Sequence, residues 1–162
     1  MLIVGVVFFG IFTPIAGLLA DRFGRRPMLL VVTGLIALFG LSFQVWFGRS
    51  AGEPVVTTAF LAVGLALMGL TFGPMGALLP ELFPTNVRYT GSAIAYNVGS
   101  ILGASLAPTV AVLLWQRDGN IFLVGLYLTG AAILTIIALA LTKETRHVDL
   151  LEATTADAAL AP

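Results

Sequence analysis

Two short clusters hold side chains whose type and spacing could do polar chemistry. The first is Gly17, Asp21, Arg22, Gly24, Arg25 and Arg26, spaced G-x-x-x-D-R-x-G-R-R. The second is Pro80, Glu81, Pro84, Arg88 and Gly91, spaced P-E-x-F-P-x-x-x-R-x-x-G. These charges suit ion pairing and anchoring, not bond-making. A catalytic or metal centre has little to draw on elsewhere. There is no cysteine and one histidine, His147, so thiolate and multi-histidine metal sites are excluded. A membrane serine protease would need a base for its serine, and His147 lies in the tail. Clustered carboxylates for magnesium-bound diphosphate are also missing. No enzyme activity, metal or cofactor is expected. Eight Lys+Arg balance eight Asp+Glu, so no broad field exists for nucleic acid, which is not an expected partner.

The elements that must position these clusters are apolar. Hydrophobic residues make up 59% of the 162, charged residues 10%, and mean hydropathy is +1.04. A soluble domain carries about 25% charged residues, so the solvent for most of this chain is a lipid bilayer. Charge-free runs cover Leu2–Ala20, Pro27–Gly48, Pro54–Pro80, Tyr89–Gln116 and Gly119–Thr142, or 19, 22, 27, 28 and 24 residues. About 20 apolar residues cross the hydrocarbon core as a helix. The runs are too long, and too little alternating, for barrel strands. Five spans are therefore predicted, over about 2–20, 27–48, 56–80, 89–115 and 120–142, in an all-α integral membrane bundle. Leu2–Ala20 reads as a span and not as a signal peptide: no positive segment precedes it and no small-residue cleavage site follows. Residues 143–162 read as a largely disordered tail.

Lys and Arg set the orientation. The first and third loops and the tail hold six of them, the second and fourth loops two. The six-charge side is expected to be cytoplasmic, with the N-terminus outside and the C-terminus inside. Gly24 permits a tight turn between the first two spans, and Pro27 suits the first turn of the helix that follows. Gly17, one turn before Asp21, leaves room for a neighbouring helix.

The first cluster resembles the loop signature of the major facilitator superfamily, with every signature position matched. In that family the aspartate sits near a helix N-terminus of the opposite half and helps lock one conformation, so the resemblance implies that role for Asp21. An anion there is worth about 0.3–1 kcal/mol. The second cluster is similar to the loop between helices ten and eleven of sugar-porter-like and metabolite:proton symporter members. Tyr96-Asn97-x-Gly99, Gly103 and Ala107-Pro108 continue the likeness toward the symporters. Lys143-Glu144-Thr145-Arg146 resembles the segment closing their last helix, with Lys143 where the family prefers proline. The resemblance implies that the five spans are helices eight to twelve of a twelve-helix fold, an incomplete C-terminal half, with helices one to seven missing. It also implies a bacterial cytoplasmic-membrane location. For Glu81 and Arg88 two readings stay open: solvated headgroup-level charges, or a gating ion-pair network with Arg22, Arg25 and Arg26. The resemblance favours the network.

The spans add smaller signals. In the fourth, Gly91, Ala95, Gly99, Gly103 and Ala107 recur every four residues, a spacing that lets helix backbones touch. Beside that ridge, Tyr89, Ser92, Tyr96, Asn97 and Ser100 fall within an arc of roughly 140° at 100° per residue. Tyr96, Asn97, Ser100 and, on the third span, Thr71 are candidate cavity or interface residues. Gly69 and Gly73 form another close-approach pair, and Pro74 is either a bending point or a static kink. No span contains Asp, Glu, Lys, Arg or His. A proton-coupled carrier needs a titrating group within the membrane, so any coupling carboxylate is expected in the missing half. The resulting expectation is part of a secondary active transporter for a small organic solute, a carboxylate or a betaine-like metabolite, coupled to protons and working by alternating access. Alone, the chain is expected not to transport. The alternative is a non-transporting membrane subunit, or decayed gene product, packing through its glycine-rich faces.

Overall fold

A computed structural model describes residues 1–48, 53–119 and 121–142. It is helical throughout, in the order α1 (Leu2–Phe23), α2 (Arg25–Leu41), α3 (Phe43–Gly48), α4 (Pro54–Glu81), α5 (Arg88–Ser100), a π-helical turn (Ile101–Leu106), α6 (Ala107–Asp118) and α7 (Ile121–Leu141). Four of the expected runs are helices long and apolar enough to cross a membrane: Leu2–Phe23, Pro54–Glu81, Arg88–Arg117 and Ile121–Leu141. The chain is a multi-pass membrane protein. Its predicted tail lies outside the described residues.

Where the helices meet, they meet on small residues. α1 packs along α4, α2 along α7, and α2 joins the two pairs by also touching α4. The buried positions include Gly5, Ala16 and Ala20 of α1, Ala62 and Gly69 of α4, Gly40 of α2, and Gly125 and Ala132 of α7. Lipid gives apolar side chains no reason to leave it, so such helices associate by close backbone packing. A Cβ on Gly69 would lie 2.7 Å from the Phe9 carbonyl oxygen, and one on Gly73 2.5 Å from that of Thr13. Gly40 and Gly125 bring α2 and α7 together in the same way, and Thr129 Oγ1 lies 3.1 Å from the Ala37 carbonyl oxygen. Many large apolar side chains, among them Leu18, Val31, Leu38 and Leu134, are exposed, while Leu29, Val32 and Leu78 are buried.

Three details go beyond the sequence expectation. The second run is broken at Ser42 instead of continuing to residue 48. The Ser42 hydroxyl donates to the Phe39 carbonyl at 2.7 Å and accepts from Trp46 Nε1 at 3.1 Å, a back-bonding pattern that bends helices. Phe60 of α4 holds the broken segment, with Phe39, Phe43, Trp46 and Phe47 around its ring at 4.8–6.0 Å. The third span passes through Pro80 and stops at Glu81. Pro80 stands in the last turn and does not end the helix, whereas Pro84 turns the preceding residue away from helical geometry. The fourth span widens into the π turn just before Pro108, whose ring would crowd the Ala104 carbonyl in a regular helix.

Candidate functional site

The loops after α1 and α4 and the C-terminus of α7 gather at one end of the bundle. Gly24 makes the first turn at φ 102°, a left-handed value open to glycine, and its N–H donates to the Ala20 carbonyl at 2.9 Å. The turn starts α2 at once, so Arg25 and Arg26 stand on its first turn. Arg25 is the centre of the cluster. Its Nη1 donates to Glu81 Oε1 in a close ion pair, and its Nη2 lies 3.7 Å from Asp21 Oδ1. The Arg25 and Glu81 side chains are only 20% and 18% exposed, whereas that of Asp21 is 69% exposed. One guanidinium thus ties the last turn of α4 to the α1–α2 turn. Asp21 stands in the last turn of α1, where its own helix dipole disfavours an anion, and it presents most of its carboxylate outward.

Arg26 does something the sequence did not suggest. Its Nε donates to the Leu139 carbonyl at 2.9 Å and its Nη2 to the Ala140 carbonyl at 2.6 Å. The last carbonyls of a helix have no intrahelical partner and carry its negative dipole end. Arg26 therefore caps α7 from the N-terminus of α2. No residue of α7 signals this, because its contribution is backbone. Arg22 stays exposed, with its guanidinium 5.6 Å from the centroid of the Phe23 ring. Arg88 does not join the cluster in the contacts found: its Nε and Nη2 lie 3.4 Å from the Phe83 carbonyl and Thr85 Oγ1, within its own loop. Of the residues in the expected network, Arg25 pairs with Glu81, and with Asp21, while Arg26 serves α7 and Arg22 and Arg88 contact Phe23 and the α4–α5 loop. Gly91 faces Phe83, whose ring carbon Cδ1 an added Cβ would approach to 2.5 Å; this seats the α4–α5 loop against α5. Pro80 lines the cleft described next, and Pro84 sits exposed in the loop.

The four candidate polar residues do not converge. Tyr96 and Asn97 line a cleft of about 310 Å³ between α4 and α5. Thr71 lines a separate, almost wholly apolar cavity of about 180 Å³ with Leu29, Thr33 and Thr135 from α2 and α7. Ser100 lines neither. Thr71 and Phe72 are neighbours in sequence, but 100° apart on α4 they face different spaces. A Cβ on Gly17, Gly99 or Gly103 would meet nothing within 4 Å in this chain. α5 and the π turn have no buried residue, so the ridge and polar stripe of the fourth span stand open. Gly69 and Gly73 do make the expected close approach, with α1, and Pro74 is fully buried within a continuous α4.

The family model for sugar (and other) transporters matches residues 1–156. The chain belongs to the sugar (and other) transporter family. The family and the relatives carry the names of transporters and not of enzymes. Among the family's members, the inner membrane metabolite transport protein YhjE of Escherichia coli is 58% identical over 151 residues, covering 93% of this chain and 34% of that protein. A putative metabolite transport protein of Haemophilus influenzae is 46% identical over 152 residues, 94% of this chain and 34% of that one. The proline/betaine transporter of E. coli is 36% identical over 143 residues, 88% of this chain and 28% of that transporter. The chain spans about a third of the length of these relatives. No solved structure matches it.

Proposed function

We propose that this chain forms the gate end and one cavity wall of a secondary active carrier for a small organic solute, a carboxylate or a betaine-like metabolite, in the bacterial cytoplasmic membrane. The observation that carries the reading is the Arg25–Glu81–Asp21 arrangement. It couples the two loop motifs at one end of the bundle and leaves Asp21 presented outward. A carboxylate so placed can dock on a helix N-terminus of an opposing bundle and hold one conformation closed. Rocking the bundles apart would then cost that contact, while Arg25 keeps this half rigid as it moves. The loops after α1 and α4 face the cytoplasm, and α1 starts outside. Proton coupling, if a carboxylate carries it, belongs to the part of the carrier that this chain does not cover, since the charge-free runs here hold no Asp, Glu, Lys, Arg or His.

The test is a chimera. The segment of the E. coli proline/betaine transporter that matches this chain is replaced by the chain, and uptake of labelled proline and betaine is measured in cells, with membrane abundance as control. Energy-dependent uptake is expected, as is a slower rate for Asp21→Asn at equal abundance. An Asp21→Asn chimera that transports at the parental rate refutes the lock. The 162-residue chain alone in liposomes is expected to show no gradient-driven uptake.

A further inference from the structure

The fourth span is one run in the sequence and two bodies in the structure. Its first half, α5, rests on α4, and its second half, α6, rests on α7. The π turn between them, Ile101–Leu106, touches only these two halves among the described residues. Neither α5 nor the turn contains a buried residue, so no neighbouring helix fixes the geometry of the joint. Its geometry is set locally. In a regular helix the Ala104 carbonyl would face the ring of Pro108 and find no donor there. The π turn closes its hydrogen bonds over five residues instead of four. It thereby makes room for that ring and takes in one extra residue.

The regular form is also within reach. Gly99 and Gly103 stand in open space, with nothing within 4 Å of an added Cβ. The Ser100 and Ser105 hydroxyls make no hydrogen bond among the described residues, whereas Asn97 and Thr109 on either side bond back to the Ala93 and Ser105 carbonyls. Serine hydroxyls can take up backbone groups that a change of ladder releases. The two forms differ by one residue of register, which is 100° of rotation. At the surface of a helix about 10 Å across, that rotation carries a side chain on the order of 8 Å. The side chains so carried include Tyr89, Ser92, Tyr96 and Asn97, which line the cleft against α4.

We propose that the π turn is a register switch inside the fourth span. Exchange between its π and α forms rotates α5 and its polar stripe against α6 and α7. α4 bears the Glu81 partner of Arg25, and α7 is capped by Arg26, so the switch lets the two sides of the bundle shift without either gate contact breaking.

The chain has no cysteine, so nitroxides at Ile94→Cys on α5 and Ile133→Cys on α7 report the rotation. Their separation is measured by double electron–electron resonance on the full chain in lipid nanodiscs, with far-UV circular dichroism as the folding control. Two distance populations are expected, up to about 8 Å apart. Pro108→Ala restores the donor to the Ala104 carbonyl and should leave one population, that of the α form. Deletion of Ala104 removes the extra residue and should leave the other one alone, because a regular helix one residue shorter keeps the π-form register. Should the deletion lose helicity, the parent chain and Pro108→Ala decide. A single distance in the parent chain, or a parent distribution that a helical Pro108→Ala leaves unchanged, overturns the proposal. That result leaves the carrier reading standing, and a chimera that fails to transport leaves the switch standing.

Discussion

Gly73→Ala tests the packing on which the gate end depends. An added Cβ would sit 2.5 Å from the Thr13 carbonyl oxygen, 3.1 Å from the Gly17 nitrogen and 3.2 Å from the Ala16 Cβ. Carbon–oxygen contacts across helix interfaces settle at about 3.3–3.6 Å, so the approach is short by roughly 0.8 Å. The obstructing atoms are mainly backbone and cannot rotate away, so α1 and α4 must part. Overpacking of this kind costs about 1–3 kcal/mol, and replacing a mid-helix glycine returns about 0.5–1 kcal/mol. The net expectation is a loss of up to about 2.5 kcal/mol, centred near 1 kcal/mol. Gly76→Ala, one turn on and facing open space, supplies the matched control and should be neutral or stabilising by about 0.5 kcal/mol. The assay is reversible SDS unfolding of the full chain in bicelles, followed by far-UV circular dichroism. Gly69→Ala should resemble Gly73→Ala, and the double variant should cost less than the sum, because helices already parted meet the second methyl without a clash. If Gly73→Ala proves as stable as Gly76→Ala, the α1–α4 register described above is wrong.

Four other measurements reach different parts of the structure. A double-mutant cycle of Arg25→Gln and Glu81→Gln should give a coupling of about 1–3 kcal/mol, more than an exposed pair, because both side chains are largely covered; a value indistinguishable from zero would remove the tie between the two loops. Arg26→Gln should raise amide hydrogen exchange in the last turn of α7, with a stability loss of about 1.5–3 kcal/mol for the charged donor; unchanged exchange there would show that the cap is not formed. Single cysteines at Asn86 and Glu53, in a chain with none of its own, report the orientation. An impermeant maleimide on intact cells should label the cysteine at position 53 and spare the one at 86, and the opposite pattern reverses the proposed topology. Ser42→Ala should let α2 and α3 join more regularly and leave the Phe60 ring cluster in place; tryptophan fluorescence of Trp46 showing a water-exposed ring would contradict this.

Some of this protein was decided by sequence alone. Long charge-free runs must be helices in lipid, because no water is there to satisfy a free backbone group. The turn at Gly24 was readable too, since a glycine between two spans with arginines beyond it has few other uses. The presence of a charge cluster was readable, but its wiring was not. Arg22, Arg25 and Arg26 are close in sequence, yet one stays exposed, one pairs with Glu81 and one caps α7. The cap partner is a carbonyl, which every residue has, so no residue type announces it. The glycines show the same division. Gly69 and Gly73 meet the backbone of α1, while Gly99 and Gly103 meet nothing within 4 Å. Spacing states which positions share a face of one helix; only the packed bundle states what stands opposite. Thr71 was grouped with Tyr96 and Asn97 by polarity, and one residue of rotation on α4 sends it to another cavity. Periodicity is a property of a single helix, whereas a site is a property of the space between helices, and that space exists only once their backbones have settled against one another.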